Sequence, residues 1–407
     1  MYILESRLLK WGIYCNAIYI LLLFLFSPDG INLLNISITS FLVLSALMIF
    51  TGCFNNFKYL NALPKNTRTL FYLLIFWGFV VVIRSFSLVL QDWVTNFGNI
   101  YMAFSWIMPM TLLLGLRIEN WRIMIGSISF MFTLMILAYL CLPFFSLNEE
   151  WIQLLRPVNF ILLIGLYHYG FLSKIKSYLI VAIYILIAIK GSKRLEFLFL
   201  GLVIFLLFID KLKHLKLKKS LLWYVIVGFV VVFVLIFTVG YEYVSNIIAS
   251  IVEFQDSRTF LFKEFFVDIK GPDRLFGKGS LGTYYSDFFE RTNRYYRILG
   301  KKGWKGDDPV RITIEVGYLQ MILKGGFIML ILNIMVYLYS IYVAIFKSNN
   351  KFIRRLGYYI LVIAILSLIE LRPTFTPTFI IFWMAVGTVS IKKYRMMTNE
   401  EINLILK

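Results

Sequence analysis

Apolar runs long enough to cross a bilayer follow one another through most of this 407-residue chain. A transmembrane helix needs roughly 20 apolar residues, because each residue advances it by only about 1.5 Å. On that measure the chain holds 12 spans, near 9–26, 31–53, 69–90, 98–116, 122–145, 157–172, 177–191, 194–210, 221–243, 312–346, 355–371 and 374–391. The tenth is too long for one crossing and must tilt or include a leading helix. Apolar residues make up 60% of the chain and charged residues 15%, with a mean hydropathy of +0.80. Soluble domains carry about 25% charged residues, so the expected fold class is an all-α polytopic membrane protein. The first run follows Arg7 and Lys10, has no small-residue cleavage site, and reads as a span.

Short basic loops set the orientation, because Lys and Arg accumulate on the cytoplasmic side. With 12 spans, the run from Lys211 to Lys219 falls inside, with Lys347, Lys351, Arg354 and Arg355. So do Lys58, Lys65, Arg68, Arg117, Arg122, Lys174, Lys176, Lys392, Lys393 and Arg395. Both termini are then cytoplasmic. Helices 1–9 occupy 1–243, one large extracytoplasmic loop occupies 244–311, and helices 10–12 with a cytoplasmic tail occupy 312–407. A formal charge of +19 in such a chain reads as loops facing anionic lipid, not as a nucleic-acid surface. Cys15, Cys53 and Cys141 are dispersed, and His168 and His214 are the only histidines. Neither a disulfide framework, a metal centre nor a cofactor is expected. No internal repeat appears, and no pair of broken helices of the transporter kind stands out.

The long loop departs from the charge rule. It carries 12 Lys/Arg against nine Asp/Glu, a net of +3, which long loops tolerate on the outer side. Arg291, Arg294, Arg297, Lys301, Lys302 and Lys305 crowd together with Tyr295, Tyr296 and Trp304. Such a run suits an anionic, sugar-bearing substrate, with bidentate Arg–phosphate contacts and ring faces for sugar C–H surfaces. It equally suits anionic lipid headgroups. Arg258 to Val267 reads as a surface helix with Leu261, Phe262, Phe265 and Phe266 on one side. Gly277-Lys278-Gly279 is a turn rather than a nucleotide-phosphate loop, because the glycine spacing is wrong and no Ser or Thr follows the Lys. Asp308-Pro309 reads as a helix start, with Asp as N-cap and Pro first in the helix. Arg311 and Glu315 would then share a face. Glu315 is either half of that ion pair or a functional carboxylate at the membrane surface.

Further cations fall at outer helix ends. Lys190, Lys193 and Arg194 flank the short loop before the eighth span; Arg156, Glu370 and Arg372 lie at outer span ends, where Glu370 and Arg372 either pair with each other or serve a site. Arg84 sits within the third span near its outer end, where an arginine is costly unless it faces a polar cavity.

Three stretches carry a family resemblance: Gly191-Ser192-Lys193-Arg194; Arg258 with Phe260–Phe266 and then Leu275-Phe276-Gly277-Lys278-Gly279; and Glu315-Val316-Gly317-Tyr318-Leu319-Gln320 before Gly325-Gly326. The chain resembles the O-antigen polymerase and ligase superfamily of bacterial envelope enzymes. The likeness covers the whole chain in topology and about 70 residues in motif. It departs at Glu315, where ligases carry a His, which favours polymerase. The resemblance implies glycosyl transfer between polyprenyl-diphosphate-linked oligosaccharide repeats on the outer face of the bacterial cytoplasmic membrane. A chain-length regulator, a flippase and membrane lipid are the implied partners. Arg194 and Arg258 would neutralise the diphosphate leaving group, and Glu315 would be the base for the acceptor hydroxyl. Arg84, Arg156, Lys193, Arg291, Arg294, Arg297, Tyr295, Tyr296, Trp304, Arg311, Tyr318, Gln320 and Arg372 would bind substrate. No metal is implied. An O-antigen ligase and a lipid-linked oligosaccharide flippase remain the alternatives.

Overall fold

The computed structural model describes residues 2–26, 33–87, 89–141, 155–165, 174–190, 194–214, 257–291 and 309–406. The first ten helices are α1 (Tyr2–Phe26), α2 (Leu33–Asn55), α3 (Lys65–Ile83), α4 (Leu90–Gly98), α5 (Ala103–Ile107), α6 (Leu112–Gly115), α7 (Asn120–Cys141), α8 (Pro157–Ile164), α9 (Lys174–Lys190) and α10 (Arg194–His214). Next come α11 (Ser257–Asp268), α12 (Pro272–Phe276) and the short strands β1 (Tyr284–Tyr285) and β2 (Val310–Arg311). The chain closes with α13 (Gly317–Phe346), α14 (Lys351–Ile369), α15 (Pro377–Ser390), α16 (Lys392–Met396) and α17 (Asn399–Leu406).

Helix occurs in every expected span except 221–243, which lies outside the described residues. Among the described residues four helices are long and apolar enough to cross a membrane: Leu34–Asn55, Lys65–Ile83, Gly317–Phe346 and Lys351–Ile369. A bent pair, Leu90–Gly98 with Ala103–Gly115, makes a fifth if it is one span. The 12 spans expected from the sequence include stretches outside the described residues, so the two counts do not cover the same residues. Among the described helices α8 has 8 residues and α15 has 14, both short of the roughly 20 needed. The segment expected to continue to 172 leaves the helix at Gly165, whose φ of 63° forms a left-handed cap. Leu47, Phe76, Ile83 and Leu338 stand exposed on α2, α3 and α13, which suits helices in contact with lipid.

The chain forms two compact units. The larger comprises 1–203, 271–282 and 315–407. Helix α15 is its centre, with all 14 residues buried. Glycines allow the close approach: a Cβ at Gly115 would strike the Met384 carbonyl, and one at Gly387 the Leu112 carbonyl. Helices α6 and α15 therefore touch backbone to backbone, as small residues permit in membrane bundles. Trp121 stacks on Phe160 with ring centroids 5.2 Å apart and donates its indole N–H to Thr388 at 2.9 Å.

The smaller unit comprises 204–270 and 283–314. Strands β1 and β2 pair antiparallel, Tyr284 opposite Arg311 and Tyr285 opposite Val310. On α11, Leu261 and Phe265 are buried and Phe262 and Phe266 exposed. Its buried side is thus narrower than the four-residue apolar face expected. Glu264 fixes the following turn by accepting from the Ser286 hydroxyl at 2.8 Å and the Phe288 amide at 2.5 Å.

Two local expectations fail. Pro309 does not start a helix. Its carbonyl accepts from the Ser286 amide at 3.0 Å, Val310 and Arg311 enter the β-ladder, and α13 begins only at Gly317 after Val316 as N-cap. Strand pairing overrides the local capping chemistry, so Arg311 and Glu315 do not share a helical turn; Asp308 lies outside the described residues. The expected span 98–116 is also not continuous. It breaks between Gly98 and Ala103 with a bend of 49°.

Candidate functional site

The break at 99–102 gathers polar groups from distant parts of the larger unit. A helix that stops inside an apolar bundle leaves backbone groups that need partners. The Ile100 carbonyl accepts from the Phe375 amide at 2.7 Å, and the Phe375 carbonyl accepts from Asn16 Nδ2 at 3.0 Å. The Gly98 carbonyl accepts from the Tyr19 hydroxyl at 2.6 Å. Residues 371–376, between α14 and α15, form a second non-helical stretch against the first.

Tyr101 opens one side of this centre. The Arg372 guanidinium lies 3.9 Å from the centroid of its ring, a cation–π arrangement. Arg156, just before α8, pairs through Nε with Glu196 Oε1 at 2.7 Å. The Tyr184 hydroxyl donates to Glu196 Oε2 at 2.9 Å, and Asn159 Nδ2 donates to that hydroxyl at 2.7 Å. Glu196 is 1% exposed. Tyr101 and Glu370 lie within electrostatic reach of Arg156. Glu196 offsets part of the Arg156 charge, leaving a cluster able to meet an anion without a bare buried cation.

Met102 opens the other side, where the loop 271–282 folds against the kink in α13. Gly326 has φ 68° and interrupts the helix. Three successive carbonyls then accept from outside it: Leu323 from the Lys278 amide at 2.7 Å, Lys324 from the Gly279 amide at 3.0 Å, and Gly325 from Trp77 Nε1 at 2.7 Å. The loop is tied to α3 as well. The Val81 carbonyl accepts from the Ser280 amide at 2.9 Å, and Ser85 Oγ from the Leu281 amide at 2.9 Å. Ser280 Oγ donates to Asn96 Oδ1 at 2.5 Å. The turn expected at Gly277-Lys278-Gly279 is present, with φ of 72° at Gly277 and 83° at Gly279.

This packing gives a graded prediction. A Cβ at Gly326 would collide with the Leu275 carbonyl, whereas one at Gly271, also at positive φ, would meet nothing within 4 Å. Gly271→Ala should cost only backbone strain, about 1–3 kcal/mol. Gly326→Ala should cost more, since the loop must also move. Thermal unfolding of the two purified variants checks the order.

The expected site residues that are described fall in both units, and each is placed within its own unit. Arg156 and Arg372 share the Tyr101 side. Arg84 is the exposed residue after α3 rather than a buried one within it, and its Nη1 donates to the Phe276 carbonyl at 2.7 Å. The helix ends there because the loop takes over the neighbouring backbone and side-chain partners. Tyr318 donates its hydroxyl to the Ala364 carbonyl at 2.9 Å, and Gln320 is fully buried. Tyr318 thereby joins α13 to α14. Glu315 lies in the bend before α13, between buried Ile314 and Val316. Arg194 opens α10 and Arg258 is the second residue of α11. In the smaller unit Arg311 lies 3.7 Å from the Phe289 ring centroid, and exposed Arg291 pairs with Asp287 at 2.7 Å. Tyr285 donates to Glu290, and that hydrogen bond raises its pKa. Lys193, Arg294, Tyr295, Tyr296, Arg297 and Trp304 lie outside the described residues.

Sequence reading passed over Lys324, Glu196, Tyr184, Asn159 and Tyr101. Lys324 and Glu196 had a usable signal, each being a charge inside an apolar helix. Among the described residues no group of three or more His, Cys, Asp or Glu could hold a metal ion. No family model, curated protein or solved structure matches the chain.

Proposed function

We propose that the chain is a multi-pass glycosyltransferase of the bacterial cytoplasmic membrane, with both termini cytoplasmic. It joins polyprenyl-diphosphate-linked oligosaccharide repeats into O-antigen, capsular or exopolysaccharide chains. The observation that carries most weight is the Arg372 guanidinium on the Tyr101 ring at a broken helix, with the Arg156–Glu196 pair and Glu370 within electrostatic reach. A diphosphate leaving group gains negative charge as the glycosidic bond to it breaks, and fixed guanidinium groups stabilise that charge best where water is scarce. In this reading Arg194 and Arg258 contact the diphosphate and Glu315 takes the acceptor proton. The sequence motifs around these residues add the family likeness to O-antigen polymerases.

A second reading has its own support. The 49° break between Leu90–Gly98 and Ala103–Gly115 is of the kind that lines transport sites in membrane carriers. It favours a flippase for the same lipid-linked substrate.

Deleting the gene and resolving surface glycan on a gel separates these readings. The polymerase reading expects loss of the ladder with single repeats retained. Unattached polymer would indicate a ligase, and loss of all surface repeats a flippase.

A further inference from the structure

Lys324 lies in the first third of α13 and is 0% exposed. Its Nζ donates to the Gly282 carbonyl at 2.8 Å and lies 3.9 Å from Met102 Sδ. Its own carbonyl accepts from the Gly279 amide at 3.0 Å. The turn between these contacts is closed by the Gly282 amide on the Gly279 carbonyl, also at 3.0 Å. One residue therefore grips both ends of the turn 279–282, by main chain at one end and side chain at the other.

A lysine in this setting calls for explanation. Burying an amino group among Leu323, Gly325 and Met102 costs free energy that a plain aliphatic side chain would avoid. Packing alone does not require it. What the amino group adds is a donor for the half-buried Gly282 carbonyl at the end of the turn. Gly277 fits against the same residue so closely that a Cβ there would strike the Lys324 carbonyl. The loop held in this way carries Phe276, whose carbonyl takes the Arg84 guanidinium, and Ser280, whose hydroxyl meets Asn96 in α4. Lys324 is thus linked through the loop to the cation at the end of α3 and to the helix that leads into the break.

We propose that Lys324 is a positioning residue: its amino group keeps the loop 271–282 docked against the α13 kink and so fixes Arg84 at the end of α3. The docking role stands apart from the glycan reading, whereas its effect on chain length rests on it.

Hydrogen exchange on the full-length protein in lipid nanodiscs tests the docking. The amides of Lys278, Gly279, Ser280 and Leu281 are all hydrogen-bonded inside the bundle and should exchange slowly. Lys324→Met keeps the length of the side chain and removes the donor. It should speed exchange over 278–281 by about tenfold, the size expected for losing one buried hydrogen bond, and leave Pro377–Ser390 unchanged. Lys324→Arg retains donors and should restore part of the protection. Unchanged exchange in Lys324→Met would overturn the proposal, as would equal acceleration in both variants.

In cells, Lys324→Met should shorten the glycan ladder and Lys324→Arg lengthen it again. Faster exchange with a full ladder would support the docking role and remove the loop from the glycan site. If Lys324→Met does not accumulate, the wild-type protein decides. Acylation with a membrane-permeant anhydride should modify the part-exposed Lys278 and spare Lys324; equal reaction at the two would overturn the proposal.

Discussion

Glu315→Gln is expected to slow chain extension by about 10²–10⁴-fold, the usual loss on removing a general base, with normal amounts of protein in the membrane. The substitution keeps the size and hydrogen-bonding capacity of the side chain and removes its ability to take a proton. Glu315 stands two residues before α13, with buried Ile314 and Val316 on either side, so the backbone that carries it is anchored and Gln should occupy the same place. A purely structural role would have a much smaller effect. A carboxylate near a helix N-terminus gains about 0.3–1 kcal/mol from the helix dipole, or at most about fivefold in an equilibrium. The gap between fivefold and a hundredfold decides the matter. The readout is accumulation of single-repeat glycan against ladder length. Glu401→Gln makes the same chemical change where the carboxylate accepts from the Thr398 amide at the start of α17, and should leave the ladder intact. A full ladder from Glu315→Gln would move the base elsewhere, with Glu370 next in line.

Arg156→Met should have the largest effect on folding. Glu196 is buried and spends one carboxylate oxygen on Arg156 and the other on Tyr184. Removing the arginine leaves a buried carboxylate with one hydroxyl donor, and breaking such a pair typically costs about 3–5 kcal/mol. The loss should appear as depleted membrane protein and a lower unfolding temperature. Replacing both partners, Arg156→Met with Glu196→Met, removes both desolvation costs at once and should restore the protein to near its normal level. The double variant then separates structure from chemistry. A restored ladder would make the pair purely structural, and restored protein without a ladder would place Arg156 on the substrate. Normal accumulation of the single variant would show that Glu196 finds another partner or solvent.

Apolar length made much of the helical framework legible. Helices α2, α3, α13 and α14 each carry an apolar run of membrane length, and length is a property of one segment alone. What escaped depended on partners far along the chain. The break at 99–102 is invisible to hydropathy, because Asn99 is a single polar residue and the group that completes Ile100 is the amide of Phe375. Asp308-Pro309 has sound local capping chemistry, yet pairing with Tyr284 and Tyr285 decides that Val310 and Arg311 are extended. The site was legible as a list of cations at the ends of expected spans and not as a set of neighbours. Arg372 lies on Tyr101, which no motif singled out, and Arg156 pairs with Glu196 40 residues further on. Lys324 was passed over because a lone lysine in an apolar run resembles a snorkelling side chain, and the carbonyl it reaches is 42 residues earlier.

The pairing of Ile100 with Phe375, and of Asn16 with the same residue 359 positions away, bears on how the molecule is made. A ribosome releases the N-terminal helices into the membrane long before residue 375 exists. Until then the Ile100 carbonyl and the Asn16 amide must rely on water, lipid headgroups or a chaperone, and contacts of such long sequence separation are also slow to form. Completion of the centre therefore waits until residue 375 has been made. The stretch around Phe375 closes an assembly begun 359 positions earlier, and a chain cut short before it would leave the Ile100 carbonyl and the Asn16 amide without these partners.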